Sequence, residues 1–79
     1  MDEKLKQDIS IGSNLQRLRL RAGFSQEQVT AQLQLQNLSI SREILSQMEC
    51  GRHSIRISIL IALCKMYNAR IEEFFEGLT

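Results

Sequence analysis

The run Gly23-Phe24-Ser25-Gln26-Glu27-Gln28-Val29 constrains this chain more than any other stretch. Gly23 supplies the left-handed residue that ends a helix. Immediately afterwards Ser25 and Gln28 make an S-x-x-Q capping box that opens the next one, with Phe24 and Val29 at the positions of a hydrophobic staple. Ahead of Gly23, Ile11, Leu15 and Leu18 recur at i, i+4 and i+7, which predicts a first helix over residues 10–22. The chain therefore begins as two short helices in direct succession.

The remainder continues that pattern. There is no Pro and no Trp, and Leu, Ile, Gln, Arg and Glu abound, which favours helices over a sheet that needs punctuated turns. After Leu33, residues 34–40 alternate polar and apolar, but no second strand lies nearby to pair with them, so they read as a loop with two or three buried anchors. Ser41 caps a third helix with Leu45 and Met48 inward, and Arg42, Glu43, Ser46 and Gln47 outward, before Gly51 stops it. A fourth helix over residues 57–67 is expected to bury Ile57, Leu60, Ile61 and Cys64, with Asn68 as its left-handed cap. A fifth, over residues 71–76, carries Glu72 and Glu73 in its first turn and presents Phe74 and Phe75. The expectation is an all-α compact bundle of five short helices forming one domain over residues 10–79, with residues 1–9 as a tail or an extension of the first helix.

Several function classes find no support. Cys50 and Cys64 form no CxxC, and the single histidine, His53, has no partner at zinc-finger spacing, so reduced thiols in a cytoplasmic protein are expected, with no metal and no cofactor. The first ten residues lack a signal peptide's apolar core, and no apolar run approaches the ~18 residues of a membrane span. No nucleotide-binding Gly-rich loop or G-x-S-x-G occurs, and His53 has no catalytic partner, so no enzyme is expected. Net charge is only +1, yet residues 10–56 hold six arginines against Glu27, Glu43 and Glu49. That central surplus lies between ends of net −1 each, and it reads either as a nucleic-acid footprint or as an ordinary solvated surface.

Taken in order, Leu18-Arg19, the run from Gly23 to Val29, the run Ile40-Ser41-Arg42-Glu43-Ile44-Leu45-Ser46-Gln47-Met48-Glu49-Cys50-Gly51, and residues 57–75 resemble the lambda-repressor and Cro-like (XRE) helix-turn-helix family. The resemblance implies a DNA-binding, repressor-like transcription regulator whose third helix lies in the major groove of double-stranded DNA. By position, Arg42, Glu43 and Gln47 become base readers, since arginine matches guanine, glutamine matches adenine, and glutamate accepts from cytosine. Glu43 has a second reading as a carboxylate that gains from the helix dipole. Ile44, where the family usually has a small polar residue, either touches a thymine methyl or packs beneath the preceding loop. Gln26 at the start of the second helix, and Ser41, Arg52 and His53 around the third, are the implied phosphate contacts. Arg17, Arg21 and Arg56 are candidates for steering. Arg19 and Glu49 correspond to a partly buried ion pair that orients the third helix; exposed, such a pair contributes little.

Three features depart from the family: about five extra residues between Leu33 and Ile40 without the usual Gly, Thr30 in place of a small Ala, and Cys50 where a phosphate-contacting residue is common. A domain of this size reads few base pairs, so a homodimer is expected, with Phe74, Phe75 and Leu78 either forming its surface or closing the core. The competing hypothesis is an antitoxin-like module that binds a protein partner, with DNA binding secondary or lost.

Overall fold

A computed structural model of the chain describes residues 3–7 and 9–78. Strand β1 (Lys4–Leu5) leads to helices α1 (Gly12–Ala22), α2 (Gln26–Leu35) and α3 (Arg42–Glu49); strand β2 (Ile55–Arg56) then runs directly into α4 (Ile57–Met66), and a 3-10 turn (Ile71–Phe75) closes the chain. The starts and stops follow the local chemistry. Gly23 takes φ 85° behind α1, and the Ser25–Gln28 capping box opens α2 with both of its reciprocal hydrogen bonds made. The Ser41 hydroxyl oxygen accepts from the Ile44 N–H at 3.1 Å to open α3. Asn68 closes α4 at φ 50°.

Leu15 and Leu18 of α1, Val29 and Leu33 of α2, Leu45 and Met48 of α3, Ile59, Leu60 and Leu63 of α4, and Phe74 of the 3-10 turn are buried together with Ile11, Ile55, Ala62 and Tyr67 in one core. Phe24 packs at its edge, its ring centroid 6.1 Å from that of Tyr67.

Four expectations are corrected. The described residues form four α-helices and a two-stranded antiparallel sheet, not five helices; the last segment is a 3-10 turn, held by the Asn14 side chain, which donates to the carbonyls of Phe74 and Glu76 at 3.0 and 2.9 Å. Residues 4–5 form neither tail nor helix extension but pair with β2, in the register Lys4↔Arg56 and Leu5↔Ile55; residues 1, 2 and 8 of that segment, and Thr79, lie outside the described residues. The connection before α3 is shorter than residues 34–40, because α2 runs on to Leu35 and Asn37, at φ 59°, takes the left-handed role of the missing Gly, while the Leu38 N–H closes back on the Leu33 carbonyl. In α4 the buried face is Ile59, Leu60, Ala62 and Leu63, which leaves Ile61 48% exposed. Phe74 is fully buried, so of the three C-terminal apolar residues it closes the core and is unavailable to a second chain.

Candidate nucleic-acid interface

Helix α3 has one apolar and one polar face, and the polar one is free. Arg42, Glu43, Ser46 and Gln47 together line an open cleft of about 330 Å³ on its outer side. Arg42, Glu43 and Gln47 are exposed, and Ser46 is half-buried. On the inner side Leu45 and Met48 are sealed in the core. Ile44 sits between the two faces: it is half-buried against the core and borders a second cleft with Ser39 and Ile40 of the preceding loop.

The C-terminal end of α3 is fixed from three directions. Glu49 receives two hydrogen bonds from Arg19, Nε at 2.7 Å and a second guanidinium nitrogen at 3.1 Å, with both side chains under one-tenth exposed. These bonds hold the Arg19 guanidinium proton more tightly than usual despite burial, and Arg19 also donates to the Phe24 carbonyl at 2.8 Å, tying α1 to the turn before α2. The backbone of Gly12 lies directly against the end of α3: a Cβ there would run into the Glu49 carbonyl and approach the Gly51 nitrogen to 2.7 Å. Gln7 completes the clamp, donating from Nε2 to the Met48 and His53 carbonyls at 3.0 and 2.7 Å, while its Oε1 accepts from the Ile11 N–H at 3.0 Å. Nothing in the sequence singled out Gln7, because the carbonyls it donates to lie more than forty positions away.

A chain of hydrogen bonds runs outward from that buried pair to the exposed face. Gln26 Nε2 donates to Glu49 at 3.1 Å, and Gln26 Oε1 accepts from Arg42 Nε at 3.5 Å. Arg42 also lies 3.8 Å from Glu27, a loose contact between exposed groups. Gln26 thus links the core ion pair to the first outward residue of α3, in addition to standing at the α2 N-terminus, where backbone N–H groups favour an anion. Ser41 is exposed at the start of α3. Arg52 and His53 line a third cleft with Lys6 and Gln7. His53 Nδ1 lies 2.7 Å from the Ser54 carbonyl, which turns that edge of the ring toward its own backbone.

Not every arginine joins this face. Arg21 makes a bidentate pair with Glu73 at 2.8 and 3.2 Å, and Arg17 reaches Glu76 at 3.4 Å, so both belong to the C-terminal turn. The Arg21 guanidinium, helped by the Arg70 N–H, pulls the Glu73 carboxyl down to about 2. Thr30, the departure on α2, turns its hydroxyl back to the Glu27 carbonyl at 3.0 Å. Cys50 is exposed at the end of α3, and burial raises the Cys64 thiol above its ordinary value. Among the described residues no group of three or more His, Cys, Asp or Glu side chains is placed to hold a metal ion, and no helix is long and apolar enough to cross a membrane.

A bundle that offers one short polar helix, braced by the helix before it and bonded through its end to the first, defines a helix-turn-helix module. The helix-turn-helix domain family matches residues 10–74, and the chain belongs to that family, consistent with a Cro/XRE-like domain. Comparisons with curated proteins and with solved structures give no match. The matched span starts after β1, so the family likeness says nothing about the N-terminal strand.

Proposed function

We propose that the chain is a sequence-specific, repressor-like transcription regulator that acts in the cytoplasm as a homodimer, with α3 seated in the major groove of duplex DNA. The observation that carries this reading is the outer face of α3, where Arg42, Glu43 and Gln47 stand exposed on a helix whose inner face and far end are locked. Eight residues of helix span about 12 Å, which suits a groove of about the same width. Arg42 and Gln47 read bases, Glu43 accepts from cytosine or serves its helix N-terminus, and Ile44 borders the groove. Gln26, Ser41, Arg52 and His53 hold the flanking phosphates.

For the homodimer, Phe75 and Leu78 border an apolar groove of about 400 Å³ with Leu5, Ile9 and Ile11, a surface suited to a second copy. Selection of bound sequences from a random duplex library tests function and symmetry together: an inverted repeat supports both. Within the recovered site, Arg42→Ala and Gln47→Ala should each relax preference at one position, by about 1–3 kcal/mol. The low net charge of +1 favours the rival protein-interaction module, and it prevails if the chain shows no salt-sensitive affinity for duplex at low ionic strength.

A further inference from the structure

The N-terminal strand brings like charges together. Lys4 is the register partner of Arg56, and the bond from the Ile57 N–H to the Glu3 carbonyl at 2.8 Å makes theirs the closely spaced, non-hydrogen-bonded kind of pair. Like charges placed directly across a sheet repel, which costs stability unless an anion lies between them. Lys6, exposed, follows directly on the strand, while half-buried Leu5 packs against the core. Among the described residues Lys4, Lys6, Arg52 and Arg56 make no ion pair, whereas Arg17, Arg19 and Arg21 are all paired with glutamates. These unpaired cations border two adjoining clefts. One, of about 320 Å³, is lined by Lys4, Ser41, His53 and Arg56 and reaches the start of α3; the other, of about 290 Å³, is lined by Lys6, Arg52 and His53. The Gln7 clamp fixes the strand to the end of the same helix.

We propose that this strand is itself a DNA-contacting element, in which Lys4 and Lys6, beside Arg52 and Arg56, grip the sugar-phosphate backbone that flanks the groove occupied by α3. The inference rests on the reading of α3 as a DNA-docking helix and adds an element that the family match leaves out. The ligand is the phosphodiester backbone. Its contribution is the same for every sequence and grows as salt falls.

The test is the salt dependence of affinity for a random-sequence duplex, measured on the full chain and on Lys4→Gln/Lys6→Gln. For every phosphate that the variant no longer neutralises, the slope of log K against log salt should become shallower by about 0.9, and binding at 0.1 M salt should weaken roughly fivefold to tenfold. Lys4→Arg/Lys6→Arg should restore the wild-type slope. The melting temperature of the free glutamine variant should hold or rise, since a repulsive pair is gone. An unchanged slope in that variant, with wild-type binding intact, overturns this proposal and leaves the α3 reading standing. No salt-sensitive binding by the wild-type chain overturns both. If the glutamine variant loses affinity for inorganic phosphate while keeping the duplex slope, the cluster takes a free anion and the proposal is likewise overturned.

Discussion

At the scale of single residues, the Arg19–Glu49 pair has the largest consequence. Both side chains are nearly out of water, so removing one leaves the other buried without its counter-charge, and Glu49→Ala should cost about 3–5 kcal/mol in urea unfolding. Arg19→Met combined with Glu49→Leu should cost less than the two single changes added together, because no lone charge remains. An additive result would show that the charges are not coupled. Tyr67 poses the opposite case. Its ring is buried, its hydroxyl has no hydrogen-bond partner among the described residues, and burial first, then the nearby Glu49 charge, pushes its ionisation far above the ordinary tyrosine value. Tyr67→Phe removes a desolvated hydroxyl and should leave stability unchanged or slightly raised. A loss above about 1 kcal/mol would contradict that account. The Arg19–Glu49 pair, thirty positions apart, was suggested by the family resemblance, whereas the orphan hydroxyl leaves no trace in a sequence, since it depends on what fails to face it.

Among the elements, the helices whose boundaries could be read are those with chemical punctuation: Gly23, the Ser25–Gln28 box, Ser41, Gly51 and Asn68 all take the conformations their side chains favour. Where punctuation is missing, the reading failed for identifiable reasons. Helix α4 runs Ile-Ser-Ile-Leu-Ile-Ala-Leu-Cys, apolar nearly all round, so periodicity could not choose between a stripe through Ile61 and one through Ile59 and Leu63. Strand β1 is two residues long and its partner lies about fifty positions later, a pairing with no local signal. The outward residues of α3 were legible because they alternate with Leu45 and Met48; the Gln26 link to Arg42 was not, because it depends on how α2 meets α3. Gly12 shows how tightly these elements are fitted. Its Cα is where α1 touches the end of α3, and Gly12→Ala would push backbone against backbone instead of displacing a flexible side chain. Overpacking of this kind typically costs about 1–3 kcal/mol. Because α3 is the element displaced, duplex affinity should fall further than stability alone explains under conditions where the variant is fully folded. Equal wild-type affinity in that folded variant would show that the α1–α3 contact does not govern duplex binding.

Across the whole molecule, charge is sorted by end. The carboxylates of Glu73 and Glu76 neutralise Arg21 and Arg17 around the 3-10 turn, whereas among the described residues Lys4, Lys6, Arg52 and Arg56 make no ion pair, so a net charge of +1 conceals an uneven distribution of ion pairs. The two ends should therefore respond to different solution conditions. Glu73 is ordinarily a group of pKa 4.5 and here is drawn down to about 2, chiefly by its hydrogen bonds to Arg21. The unfolded chain takes up that proton first as pH falls, so the stability from this pair is fully present above about pH 4.5 and is lost progressively toward pH 2. In Arg21→Gln the depression relaxes, and the gap in melting temperature between wild type and variant should be widest above pH 5 and close as the pH approaches 2. Because the pair is partly open to water, high salt should narrow the same gap. A gap that stays constant across this range would mean that Arg21 supports the turn by packing and not through the Glu73 carboxylate, and the division of charge between the two ends would then have no bearing on folding.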